Sequence, residues 1–501
     1  MTISFRRFFS SNAAILIVMA LFKLALHLVT NNQYGFNRDE LYYIACSQHL
    51  DLGYVDHPAL IAFLAFLIRM ILGESLFALR FLPAVAGASM VFLTGLMVRQ
   101  LGGGRFAQIV ACLALIIAPL YLSMNTLFTT NVFDELLWLL CSYMFLLFFR
   151  SNNPKYFLLI GLTMGIGLLN KHSTLIFCMA AVIGLLFTQY RKYFLNKYFW
   201  LGAIMALAIF SPNIFWQISH GWPTLEFLKE SAINRMPEVS PLGFLGQQIL
   251  SLNPVNLPVE ILGLYFFLFC PKGKRYRAFG WIFLFVATFF AFQRSKDYYL
   301  APAYPIIWAG GAYMLEYMVR SKNWNWLRAA IVIVMVIAGL VVAPFCIPIL
   351  PVQVLDRYAS LQGASFPAVF SDMLGWEKLT ATVAEAYNTL SPSEKAKCAV
   401  LANNYGEAAA IDYYGSKYGL PRSISTHNSY WLWGPRNYTG EIVLSVGVSM
   451  EDLRQGFNSV RQIATVNNDH VMWYETNLPV LIWTKPKIPF QRMWPYIKLF
   501  Y

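Results

Sequence analysis

The chain has 501 residues, 58% of them hydrophobic and only 13% charged, with a mean hydropathy of +0.51, which excludes an ordinary soluble protein and indicates a polytopic membrane protein. The net charge of +13 does not point to nucleic acid, because Lys and Arg sit in short groups between apolar runs, where cytoplasmic loops place them. The seven cysteines include no CxxC pair, so neither a disulfide framework nor a zinc cluster is expected.

A spanning helix needs roughly 20 mostly apolar residues. In chain order such runs lie near 12–30, 80–99, 106–123, 131–149, 156–170, 173–189, 198–216, 243–269, 278–292, 298–318 and 327–345, which predicts about eleven crossings. The first run follows Arg6 and Arg7 and is not followed by a small-residue cleavage site, so it reads as a retained signal anchor. With the N-terminus inside, the cytoplasmic connections carry Arg99 and Arg105, Arg150 and Lys155, Arg191, Lys192 and Lys197, Lys272 to Arg277, and Arg320, Lys322 and Arg328. This alternation agrees with the positive-inside rule. The apolar stretch 58–73 contains Arg69, and a crossing there would reverse every later basic group. It is therefore expected to be an amphipathic helix on the outer membrane surface, with Arg69 reaching the headgroups.

Residues 1–345 are thus expected to form the transmembrane domain, with a long first outer loop at 31–79. From 346 to 501 charges appear at globular density, as at Glu377, Lys378, Asp412 and Arg422. Short β-prone runs alternate there with helical stretches, which predicts an extracytoplasmic α/β or α+β domain.

The same topology gathers the ionisable residues at the outer face. Asp39, Glu40, Asp56 and His57 lie in the first outer loop, and Asn131, Asp134 and Glu135 begin the fourth run. Lys171 and His172 lie in a tight outer turn, His220 to Glu226 in the next loop, and Arg294, Lys296, Asp297, Tyr298 and Tyr299 in the last. Acids inside a span are costly, so Asp134 and Glu135 need a polar cavity or a partner, unless they sit in the hydrated headgroup boundary. Asp39 and Glu40 also suit the N-terminus of a helix, where negative charge offsets the dipole, and Asp51 reads as a solvated loop charge. One carboxylate to deprotonate an acceptor hydroxyl, with Lys or Arg to stabilise a departing phosphate, is what sugar transfer from a lipid phosphate requires. No GxxxxGK[ST] phosphate loop is present. A transporter is the competing reading, but the acids gather at one surface and no repeat is evident.

Several elements are similar to a known family: RDELYY with LGYVDHPAL, ALRFLPAVAG (78–87), TNVFDELLW (130–138), GIGLLNKHSTL (165–175) and KDYYLAPAYP (296–305). Together they resemble glycosyltransferase family 39, membrane enzymes of the C-type fold that use polyprenyl-phosphate sugars and include protein O-mannosyltransferases and lipid A aminoarabinose transferase. NNYGEAAAIDYYG (403–415) and HNSYWLWGP (427–435) resemble the outer domain of bacterial members. Ala59 stands where the family's DHPP pattern has its second proline.

The resemblance implies an inverting glycosyltransferase in the bacterial inner membrane, active at the periplasmic or outer face, with a polyprenyl-phosphate sugar donor and a lipid, glycan or protein acceptor. It implies Asp39 as the base, Glu40 as its support and Asp134 as the second acid. Glu135, Asp56, His57, Tyr298 and Tyr299 would line the substrate site. Lys171, Arg294 and Lys296 are the candidates for the donor phosphate on charge and side. No cofactor is required; carboxylates and His220 could bind a divalent ion, so metal dependence stays open, but no ligand spacing argues for it.

Overall fold

The computed structural model describes residues 12–234, 239–454 and 456–501, so Arg6 and Arg7 of the predicted inside anchor lie outside the described residues. The chain divides into two compact units, the first comprising 1–32, 77–215 and 236–350 and the second 33–76, 216–235 and 351–501. Residues 33–76 and 216–235 cluster with the C-terminal residues 351–501 rather than with the apolar helices.

The first unit is helical. Among the described residues, six helices are long and apolar enough to cross a membrane: Ala13–Thr30, Leu76–Leu101, Thr130–Ser151, Lys197–Ser219, Pro271–Phe292 and Asn325–Cys346. Two bent pairs, Thr174–Leu186 with Gln189–Leu195 and Pro241–Ser251 with Pro254–Leu268, raise the number to as many as eight. The runs predicted at 106–123 and 156–170 are shorter helices, Arg105–Ile117 and Tyr156–Asn170, the former broken at Pro119. Proline supplies no amide hydrogen and fixes its own φ, so a new helix starts there. Glycine allows close helix approach: a Cβ on Gly161 would meet the backbone of Gly202, and one on Gly202 that of Phe157. Small residues that let backbones touch are a recurrent means of packing helices in lipid.

The second unit contains a five-stranded sheet of order β2-β1-β3-β5-β4, with β1 at Cys398–Ala402, β2 at Ile424–Ser425, β3 at Ile442–Val446, β4 at Phe457–Val466 and β5 at Leu478–Pro486. Strand β1 runs parallel to β2 and β3, while β5 is antiparallel to β3 and β4. All five residues of β1 are buried, as expected of a strand covered on both faces. One core gathers Leu401, Val443, Leu481, Trp483, Phe490 and Trp494. The expected α/β or α+β domain is present.

Residues 33–76, expected to be part of an outer loop, are structured. They hold the helices Arg38–Gln48 and Leu60–Leu72, which pack on each other. Arg69 was expected to reach lipid headgroups. Instead its guanidinium donates to Ser47 Oγ at 2.8 Å and pairs with Glu74, because both acceptors lie within the same unit.

Candidate functional site

The polar residues singled out in the sequence form one cluster in each unit. In the second unit the cluster is built on the first turn of the helix Arg38–Gln48. Asn37 caps this helix by accepting from the Asp39 amide at 3.0 Å, and Glu40 Oε2 returns the bond by accepting from the Asn37 amide at 2.8 Å. This reciprocal capping box satisfies amides that the helix leaves without a partner. Glu40, fully buried, is therefore engaged in holding the helix start, a role that the Asn-x-x-Glu spacing itself signals.

Asp39 is 39% exposed at its side chain, so its carboxylate remains accessible. Its Oδ1 accepts from the Tyr405 hydroxyl at 2.8 Å. Arg38 Nε lies 4.0 Å from the same Asp39 oxygen, and its guanidinium also donates to the Tyr474 hydroxyl at 2.8 Å, lies 3.7 Å from Asp372 and covers the Tyr405 ring at 5.3 Å. Asp56 accepts from the Tyr42 hydroxyl at 2.9 Å. Burial pushes the Asp56 carboxyl above the usual range, against the opposing effects of His57 and the Tyr42 hydroxyl, while the nearby Asp39 charge adds to the rise. Asp39 and Asp56 are thus neighbours, joined through the Tyr42 and Tyr405 rings, whose centroids are 4.6 Å apart.

His57 is placed differently. It is buried, its Nδ1 lies 2.8 Å from the Pro58 carbonyl, and it stacks on Tyr54 at 4.7 Å. These contacts fit packing of the GYVDHP turn better than contact with a substrate. Asp51 is exposed and accepts from the next amide at 2.7 Å.

In the first unit the cluster surrounds Lys171. Its Nζ donates to Asn131 Oδ1 at 2.6 Å and lies 4.4 Å from the centre of the Tyr299 ring and 5.2 Å from that of Tyr298. Asp134, on the same helix as Asn131, is buried and accepts from Ser173 at 2.8 Å and Thr174 at 3.1 Å. The turn that presents Lys171 thus also supplies two hydroxyls to Asp134. Lys296 lies 6.0 Å from the Tyr298 ring. Arg294 is exposed with a positive φ of 53° in its turn and is not drawn into the Lys171 group.

Glu135, next to Asp134 in the chain, also belongs to a buried set that the sequence reading passed over. It accepts from Asn125 at 3.4 Å and shares a field with Lys23. Lys23 is fully buried and donates to the Tyr121 carbonyl at 3.3 Å, and His27 contacts Thr126 at 3.3 Å. Arg80, in the ALRFLP element, is also fully buried and exchanges bonds with Asn31. The available signal was an ionisable residue inside an apolar run, which is rare unless a partner or a function demands it.

An apolar cavity of about 390 Å³ lies between helices of the same unit, lined by Phe145, Met164, Leu168, Leu175, Phe199 and Phe210 among others. Leu168 and Leu175 flank Lys171 in sequence, so a hydrocarbon-lined space adjoins the segment that carries the cation. Among the described residues, no three of His, Cys, Asp and Glu group so as to hold a metal ion.

Residues 56–216 match the family model described as dolichyl-phosphate-mannose-protein mannosyltransferase. ArnT from Cupriavidus metallidurans bound to undecaprenyl phosphate superposes with a TM-score of 0.60 at 15% identity, over 93% of this chain and 97% of that one. The chain has the C-type glycosyltransferase fold. The apo form of ArnT gives a TM-score of 0.59 at 14% identity over the same shares. The Archaeoglobus fulgidus oligosaccharyltransferase, in complex with zinc and sulfate, gives 0.52 at 14% identity, over 87% of this chain and 68% of that one. No curated protein sequence matches the chain. The fold agrees with the resemblance read from the motifs and, with the apolar helices, makes this a multi-pass membrane protein.

Proposed function

We propose that the chain transfers a sugar from a polyprenyl phosphate to a lipid, glycan or protein acceptor at the periplasmic or outer face of a bacterial inner membrane. The observation that carries this reading is the ArnT fold along nearly the whole of both chains, in a relative whose structure holds undecaprenyl phosphate. Asp39 takes the proton from the acceptor hydroxyl as the oxygen attacks the anomeric carbon. The bond to the phosphate oxygen breaks in the same displacement, with inversion, and the pair of electrons leaves on the lipid phosphate. In the first unit, Lys171 is the candidate cation for a lipid phosphate, and the neighbouring tyrosines hold its ammonium in a fixed place. The polyprenyl tail occupies the apolar cavity that adjoins the Lys171 segment. Asp134 orders the Lys171 turn through Ser173 and Thr174. One base and one stabilised leaving group suffice, so no cofactor is invoked.

The test is transfer by full-length protein in proteoliposomes supplied with polyprenyl lipids extracted from the parent cells as donor and with an extract of their envelope lipids, glycans and proteins as acceptor, with undecaprenyl phosphate binding measured separately. Asp39→Asn is expected to lose transfer by about 100-fold or more with undecaprenyl phosphate binding unchanged. Lys171→Ala is expected to weaken that binding. Full transfer by Asp39→Asn would remove the base role.

A further inference from the structure

We propose that Tyr405 is a positioning residue for Asp39, which makes the segment 404–407 part of the transfer site; this rests on Asp39 being the base. The hydroxyl of Tyr405 donates to Asp39 Oδ1 at 2.8 Å, and among the described residues no hydrogen bond engages Oδ2. One carboxylate oxygen is thereby held while the other stays open to an acceptor hydroxyl. Without this bond the short Asp39 side chain, more than a third exposed, keeps only the longer 4.0 Å pairing with Arg38 Nε to fix its χ angles.

The surroundings of Tyr405 are arranged to keep its hydroxyl in place. Its ring lies against Tyr42 on one side and under the Arg38 guanidinium at 5.3 Å. Gly406 follows because a Cβ there would strike the aliphatic carbons of Arg38. Glu407 is fully buried, and its carboxyl accepts from the Asn403 amide at 2.8 Å and from Asn404 Nδ2 at 2.9 Å. Asn404 Nδ2 also reaches Glu475 Oε1 at 3.0 Å, tying the segment to a second buried carboxyl. Asn404 caps the helix Tyr405–Tyr414, so the start of the helix and the position of Tyr405 are set together.

The location has a topological reason. Residues 403–407 leave the C-terminal end of β1, the chain then returns through β2 on one side, and β3 pairs with β1 on the other. Parallel strands whose connections diverge to opposite sides leave a crevice at their C-terminal ends, the usual place for functional groups in such sheets. Here the Arg38-Asp39 turn meets the chain just beyond that end of β1, at Tyr405 and Gly406.

The experiment uses the proteoliposome assay with the polyprenyl-lipid extract titrated to separate kcat from KM. Tyr405→Phe keeps the ring and removes only the hydroxyl. It is expected to lower kcat about tenfold with KM unchanged, since a misdirected base costs rate rather than binding, and to leave Tm and undecaprenyl phosphate affinity at wild-type values. An unchanged kcat, or a loss that appears only as a raised KM or a lowered Tm, overturns the proposal. Asp39→Asn, run beside it, separates the two ideas. If Asp39→Asn is inactive and Tyr405→Phe is normal, only the positioning role falls. If Asp39→Asn is active, both fall.

Discussion

Arg38, Asp39 and Glu40 are consecutive and charged, yet each serves a different end: Arg38 is clamped by Tyr474 and Asp372, Glu40 completes a capping box, and Asp39, held at one oxygen by Tyr405 and Arg38, keeps the other open. Opposite them, Glu407 and Glu475 are buried together. Burial raises both carboxyls, Glu475 to about 7 and Glu407 well above its usual 4.5, and each is raised further by acidic neighbours. The pair therefore retains a proton that the unfolded chain would release near its ordinary value of 4.5. Folded protein then binds more protons than unfolded protein, so stability is complete below that value and is lost as the pH rises toward about 7. Thermal unfolding of the detergent-solubilised protein is expected to show Tm falling across this window, with a loss on the order of 1–3 kcal/mol. Glu475→Gln, which stays neutral, should flatten the slope; an equally steep slope in that variant would contradict the shared-proton account.

At the scale of elements, the helices were legible because periodic or continuous apolar runs determine them, and the apolar runs predicted from sequence coincide with helices or broken helix pairs. What was not legible is which elements share a unit. The loop 33–76 reads as an appendage of the spans, but its helices pack with the C-terminal residues through contacts as distant in sequence as Asp39 with Tyr405 and Tyr413 with Glu74. Lys498 pairs with Glu226 in the same way. No local pattern encodes such pairings. Helix-to-helix approach in the first unit was likewise hidden, since Gly161 and Gly202 look like ordinary apolar-run residues until their backbones are seen to meet. Gly161→Val is expected to destabilise the first unit by about 1–3 kcal/mol, read as a lowered Tm in detergent. A wild-type Tm would show that the helices separate without cost.

For the whole molecule, the motifs gave the fold class, and the structure added how its acids are used. The motifs imply Asp39 as the base and Asp134 as a second acid that shapes the site. They differ in kind: Asp39 is accessible and held by one hydroxyl, whereas Asp134 is buried and satisfied by two. Under the proposed function, transfer depends most directly on Asp39, with Asp134 acting through the Lys171 turn. Mass spectrometry of the cell envelope from a strain lacking the gene, complemented with either the wild-type chain or Asp39→Asn, tests this most directly. The account predicts that deletion removes a sugar substituent, that the wild type restores it and that Asp39→Asn does not. An envelope unchanged by deletion, or fully restored by Asp39→Asn, would contradict it.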